Sequence, residues 1–198
     1  MRILFQGDSI TDCGSYRKPR EEFTGYVHYT AALLGDKHEY FNHGISGNRS
    51  AQLLERYDDD IKSVCPDIMT LLIGINDLWR GYDSAFYTPP ETYEANLREI
   101  LTKTRADFPA VKIILMEPFL LPAPEKAYWR PTLALFIEAA RRVAVELADA
   151  FIPLDGLLAK AQMETPWQEI SEDGVHLAEK GQRLVADYLA AELKRFIR

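Results

Sequence analysis

Residues 67–73 read DIMTLLI, and residues 111–116 read VKIILM. Both runs are nearly continuous in apolar side chains, where a strand with one wet face would alternate. They read as strands buried on both faces, and such strands belong to parallel sheets covered by helices on either side. Working outward, RILFQ (2–6), HEYFN (38–42) and AFIPL (150–154) are runs of the same kind, which makes about five strands. Helical patterns fall between and around them, at 25–34, 50–63, 90–107, 131–149 and 178–197. The third of these opens on Pro89-Pro90-Glu91, a helix-entry signal. Alternating strands and helices predict an α/β fold, a parallel sheet with helices on both faces. The segments left irregular are 11–24, 77–89, 117–130 and 164–177. In open α/β sheets ligands bind outside the carboxyl ends of the strands, so chemistry is to be sought there.

The chain has 198 residues, a length that fits one domain, and it shows no internal repeat or linker. Its formal net charge is -7, which argues against a nucleic-acid partner, because phosphate binding needs a basic face. Arg17-Lys18-Pro19-Arg20 is the one dense basic spot and reads as a solvated loop. Cys13 and Cys65 have no paired spacing, so neither a disulfide framework nor a zinc knuckle is expected, and a reducing compartment suits them. Met1 leads directly into a strand without a signal-peptide pattern, and no apolar stretch approaches the ~18 residues of a membrane span. A cytoplasmic protein with no membrane partner is the expectation.

The first strand runs into GDSITD (7–12). A serine where a strand ends is a helix cap, a phosphate ligand or a nucleophile. A serine hydroxyl becomes a useful nucleophile only beside a base that a third group orients. Of the four histidines, His28 lies in an amphipathic helix, His38 borders a strand and His43 lies in the loop after strand two. His176 differs, because it follows Asp173 in SEDGVHL, an irregular stretch before the last helix. A carboxylate and an imidazole three residues apart can face one another within one turn. The Asp then fixes the tautomer and leaves the other ring nitrogen for a serine. Asp173-Gly174 could equally be a turn. Acyl transfer also needs donors aimed at a developing oxyanion. NHGISGN (42–48) offers Gly44 and Gly47, and GIND (74–77) offers the Asn76 amide, although the glycines could simply make turns and Asn76-Asp77 could cap a helix.

GDSITD, GISGN, GIND and DGVH, in that order from Gly7 to His176, resemble the four sequence blocks of the SGNH (GDSL) hydrolase family. The resemblance implies a three-layer α/β/α sandwich of flavodoxin-like type. By motif it makes Ser9 the nucleophile, His176 the general base and Asp173 its orienting partner. The oxyanion hole would be the N–H of Ser9, the N–H of Gly47 and the side chain of Asn76. The first block reads GDSI rather than GDSL, and His176 is followed by Leu177 where many members carry proline. No G-x-S-x-G elbow surrounds Ser9, so the likeness is not to α/β-hydrolases.

The longer strings GDSITDCG, TGYV, NHGISGN and GINDLWRGYD look closest to the carbohydrate-acetylesterase branch, acetylxylan esterases among them. That resemblance implies removal of acetyl groups from a small acetylated carbohydrate, and a homo-oligomer. Trp79, Arg80, Tyr82, Tyr128 and Trp129 lie near the proposed edge and suit neutral sugars, or else pack the loops or an oligomer interface. Arg80 could instead pair with Asp77 or Asp83. Asp8 could contact substrate or shape the turn. The apolar segment EPFLLPAP (117–124) raises two other readings, the wide groove of a lipase and an exposed interface. Alternatives are therefore an acylhydrolase for longer chains, of lysophospholipase or thioesterase type, and a non-catalytic sugar-binding module. Asp58-Asp59-Asp60 reads as a solvated helix face rather than a metal site. No metal-ligand spacing, G-x-G-x-x-G or P-loop occurs, so no metal or other cofactor is expected.

Overall fold

The computed structural model describes residues 1–197. Five strands, β1 (Arg2–Gly7), β2 (Glu39–Gly44), β3 (Ile68–Leu72), β4 (Lys112–Met116) and β5 (Ala150–Ile152), form one sheet in the order β2-β1-β3-β4-β5. Every pairing is parallel. This is the flavodoxin-like strand order, whose direction of winding reverses between β1 and β3. The register aligns Gly7 with both Gly44 and Leu72, so the carboxyl ends of the three strands around that reversal form one rim.

The continuous apolar runs behave as read: every residue of β3, and Ile113 to Met116 of β4, is buried. On one face of the sheet α2 (Gly25–Leu34) packs against α9 (Glu179–Leu193). The other carries α3 (Ser50–Glu55), α5 (Pro90–Asp107) and α6 (Arg130–Leu147), packed in series. In α6 the buried side chains Leu133, Phe136, Ile137, Ala140, Val143 and Ala144 recur at three- and four-residue spacing, the stripe that a helix lays on a sheet. The result is the three-layer α/β/α sandwich.

Several segments differ from the sequence expectation. Residues 77–89 are not irregular throughout, because α4 (Ile75–Asp83) occupies their first half. It lacks a side-chain cap and begins at Gly74, so the usual start signals are missing. The strand read to 154 stops at Ile152, and Pro153 leads into α7 (Leu154–Ala161). The helix read over 50–63 breaks after Glu55 and resumes as a π-type turn, Asp58–Lys62. Within that turn Asp60 faces away from solvent. Asp58 and Asp59 are exposed, but Asp60 is fully buried and pairs with Arg17 at 2.9 Å and with Arg56. The acidic run is thus solvated at Asp58 and Asp59 but not at Asp60, and Arg17 is not a purely solvated loop residue. His43 lies in β2, not in the loop beyond it, with Nδ1 2.9 Å from the Asp60 carbonyl. The segment 117–124 buries Phe119, Leu120, Leu121 and Ala123 and exposes only Pro122 and Pro124, so its large apolar side chains line neither an open groove nor an exposed interface.

Candidate active site

Ser9 opens a single helical turn, α1 (Ser9–Asp12), at the end of β1. Asp8, not Ser9, caps it: Asp8 Oδ1 accepts the Ile10 N–H at 3.0 Å. The serine hydroxyl is left free of capping. The backbone of α1 crosses directly over the end of β2, where a Cβ on Gly44 would stand 2.4 Å from the Asp12 nitrogen. Gly44 is therefore required by close approach and lies in the strand, not in a turn. Asp8 is fully buried, placed to shape the Ser9 turn rather than to meet a ligand. Its Oδ2 has no partner among the described residues, and burial pushes its carboxyl up to about 7.

Across the rim, Ser9 Oγ lies 3.1 Å from His176 Nε2, and His176 Nδ1 lies 3.1 Å from Asp173 Oδ2. With the ring proton on Nδ1, Nε2 accepts from the serine. The loop between α8 (Trp167–Ile170) and α9 holds this geometry through a bridge between Ser171 and Leu177. Ser171 Oγ donates to the His176 carbonyl at 2.7 Å and accepts the Gly174 N–H at 2.8 Å. Asp173 Oδ1 accepts the N–H groups of Val175 and His176 at 2.9 and 2.7 Å. Burial pushes the Asp173 carboxyl upward. The hydrogen bonds from His176, from Val175 and from Lys126 together outweigh it and hold the group well below the usual carboxylate range. The Asp173 hydrogen bond raises the His176 imidazole above its ordinary value, against a downward pull from burial.

The two other loops meet the same spot. Gly47 has φ +81°, a conformation that suits glycine, and among the described residues no acceptor takes its N–H. Asn76 is buried on the first turn of α4, and its Nδ2 donates to the Asn48 carbonyl at 3.1 Å. Asp77 beside it is buried too and accepts from the Ser50 N–H and hydroxyl at 2.9 and 2.6 Å. Burial pushes its carboxyl up to about 6. Arg80 pairs with Asp83 at 2.5 Å rather than with Asp77.

Aromatic rings wall the histidine side of the site. The Trp79 ring lies 6.0 Å from the His176 ring and 5.2 Å from Trp129, and Tyr82 stacks on Trp129 at 5.4 Å. Trp129 is buried, whereas Tyr82 and Tyr128 are 42% and 60% exposed. Trp129 is thus packing, and the two tyrosines form the outer edge of the wall. Lys126, Asp12, Arg56 and Ser171 support the site and escape a reading of the sequence alone. Lys126, Asp12 and Arg56 reach the site through partners remote in the sequence, whereas Ser171 acts within SEDGVHL, on Gly174 and His176. Among the described residues no group of three His, Cys, Asp or Glu side chains is placed to hold a metal ion. Among those residues no helix is long and apolar enough to cross a membrane.

Comparison with known proteins agrees with this arrangement. An acetylxylan esterase of Geobacillus stearothermophilus is 32% identical over 97% of this chain and 93% of its own length. Its crystal structure superposes with a TM-score of 0.86. Catalytic mutants of that enzyme replace a serine, an aspartate, and a histidine three positions after the aspartate. A GDSL-like lipase from Parabacteroides merdae, known by its crystal structure, gives a TM-score of 0.90 at 36% identity, covering 97% of this chain and 95% of that one. The thioesterase 1/protease 1/lysophospholipase L1 of Escherichia coli is 26% identical over 84% of this chain and 74% of its own length. The sequence profile of one family matches residues 5–184, from β1 into α9. The chain belongs to the GDSL-like lipase/acylhydrolase family and is a carboxylic-ester hydrolase.

Proposed function

We propose that this esterase removes O-acetyl groups from small carbohydrates, such as xylo-oligosaccharides, through an acetyl-enzyme. The observation that carries the mechanism is the 3.1 Å approach of Ser9 Oγ to His176 Nε2 across 167 residues of sequence. Ser9 attacks the acetyl carbonyl carbon while His176 Nε2 takes the hydroxyl proton. The carbonyl oxygen becomes an oxyanion against the N–H groups of Ser9 and Gly47 and the Asn76 amide. As the tetrahedral intermediate collapses, His176 returns its proton to the departing sugar oxygen. Water then attacks the acetyl-enzyme with His176 again as base, which releases acetate and restores the Ser9 hydroxyl. Asp173 holds the imidazole in the Nδ1–H tautomer throughout. Every group the reaction requires is a side chain or a backbone N–H of this chain, so the proposal involves no cofactor.

Two features favour a short acyl group on a sugar. The apolar segment 117–124 is turned inward and offers no groove to a long chain. Tyr82 and Tyr128 present aromatic surface at the outer edge of the wall that reaches His176 through Trp129 and Trp79, the kind that neutral sugars stack on. The resemblance to acetylxylan esterases and the free thiols of Cys13 and Cys65 support a cytoplasmic homo-oligomer.

The test is turnover of acetylated xylo-oligosaccharides against a chain-length series of nitrophenyl esters, with fluorophosphonate labelling and Ser9→Ala as controls. The expected result is a preference for acetyl, and labelling that Ser9→Ala abolishes. A preference for long chains overturns the acetyl assignment, and full activity in Ser9→Ala overturns the mechanism.

A further inference from the structure

Lys126 lies in the 3-10 turn Pro124–Trp129, 47 residues before Asp173. Its side chain is only 12% exposed. Its Nζ donates to the Asp173 carbonyl at 2.6 Å and to Asp173 Oδ2 at 3.1 Å. It also stands 5.3 Å from the centre of the Trp79 ring and 5.8 Å from that of Trp129, within the range of cation–π attraction. One ammonium is therefore held by a carbonyl, a carboxylate and two aromatic rings. The carboxylate oxygen it touches is the one that faces His176 Nδ1.

We propose that Lys126 is a positioning residue for the esterase reaction: by sharing Asp173 Oδ2 with the His176 imidazole, its ammonium fixes the carboxylate and limits how tightly that carboxylate keeps a proton on His176. The inference rests on the reading of His176 as the base. A carboxylate facing an imidazole alone lends its full charge to the imidazolium. A carboxylate that also pairs with an ammonium lends less, and the base is unprotonated at a lower pH.

The groups facing His176 have opposed effects. Asp173 on its own loop and Asp8 from the β1–α1 turn raise its proton affinity, and Lys126 lowers it. Trp79 of α4 is uncharged. Arg80, the other cation near Trp79 at 5.7 Å, is engaged by Asp83. Lys126 is thus the cation placed to offset Asp173. Its seat against Trp79 and Trp129 also links the aromatic wall to the Asp173–His176 loop.

Lys126→Met keeps a flexible stem between the rings and removes the charge, whereas Lys126→Arg keeps the charge. The measurement is kcat/KM for a nitrophenyl acetate from pH 5 to pH 9. With Lys126→Met the midpoint of the acid limb should move up by about one pH unit, a charge effect over a short, half-buried path. Activity on that limb should fall about tenfold, and the deficit should shrink as pH rises. Lys126→Arg should restore the midpoint. If Lys126→Met does not fold, Lys126→Gln takes its place. An unmoved or lowered midpoint, or an equal loss at every pH, overturns the proposal. A second measurement separates this outcome from failure of the underlying mechanism: the His176 ring is titrated by NMR in Ser9→Ala with and without Lys126→Met. That titration reads the effect of Lys126 whether or not Ser9 is the nucleophile, while residual turnover by Ser9→Ala alone tests the mechanism.

Discussion

Asp12 accepts the Ser46 hydroxyl at 2.6 Å and the Ser46 N–H at 3.1 Å through Oδ2, and so ties the turn that begins with Ser9 to the loop that carries Gly47. Its other oxygen accepts the N–H groups of Ser15 and Tyr16, which fixes Asp12 from behind. Ser9 and Gly47 follow different strands, β1 and β2, and Asp12 is a direct side-chain connection between their loops. Asp12→Ala should lower kcat about tenfold with little change in KM, since a misplaced donor is lost mainly in the transition state. Steady-state kinetics on an acetyl ester decide it, and wild-type kcat would show that the loop holds its shape unaided.

Asn76 offers a sharper test of the oxyanion assignment. Its amide is positioned through the Asn48 carbonyl, on the same loop as Gly47. Asn76→Ala should cost on the order of 10²–10³ in kcat, the range found for loss of one oxyanion donor. Stability should fall by only about 1 kcal/mol, the typical net worth of a hydrogen bond. A loss of activity no larger than a few-fold, measured alongside urea unfolding, would remove Asn76 from the hole.

How much of this was open to a reader of the sequence depends on what each residue answers to. β3 and β4 are legible because burial on both faces leaves a continuous apolar run. Ser9, Asn76, Asp173 and His176 are legible because each falls in a short motif at a strand end or helix start. α4 is less so: its buried Ile75 and Leu78 recur at helical spacing, but the buried Asn76 and Asp77 beside them are held by Asn48 and Ser50, remote in the sequence. Lys126 and Asp12 are silent for a related reason, since their partners are 47 and 34 residues away. Asp60 misleads outright: three adjacent carboxylates read as solvated, yet one of them turns inward onto Arg56 and Arg17, whose pairing no local pattern announces.

The buried carboxyl of Asp8 should shape both stability and activity against pH. Its folded value is raised from 3.8 to about 7. Between those values the native state holds a proton that the unfolded state releases, so on this account stability falls as pH rises from about 4 to about 7. Asp8→Asn keeps the acceptor for Ile10 and removes the titration. It should be more stable than wild type at pH 8 by a few kcal/mol, with the difference vanishing near pH 4. The negative charge of Asp8 also raises the His176 imidazole. The acid limb of kcat/KM, above about 6.5 in wild type because His176 is raised, should move down in Asp8→Asn, opposite to Lys126→Met. Thermal unfolding at pH 4, 6 and 8 with a matched rate profile tests both signs, and a stability gap that does not grow with pH would rule out the buried titration.

Arg56 and Asp60 lie beneath the rim and should prove more costly to separate than any surface pair. Arg56 donates to the Gly7 carbonyl at 3.1 Å, to the His43 carbonyl at 2.8 Å and to Asn48 Oδ1 at 2.8 Å, besides pairing with Asp60. It therefore touches the ends of β1 and β2 and the Gly47 loop together. Asp60 neutralises it, accepts the Tyr16 hydroxyl at 3.1 Å and pairs with Arg17 at 2.9 Å. Asp60→Ala leaves the largely buried Arg56 guanidinium without its counter-charge, a situation that typically costs about 3–5 kcal/mol. Denaturant unfolding should show a loss of that size. Activity should also fall under conditions where the variant remains folded, because the carbonyl of Gly7, two residues before Ser9, and the side chain of Asn48 lose a fixed donor. Asp60→Asn, which retains acceptors but not the charge, should fall between the two in stability. A loss below about 1 kcal/mol in Asp60→Ala would mean that water replaces the carboxylate, and that the rim is held by the strands alone.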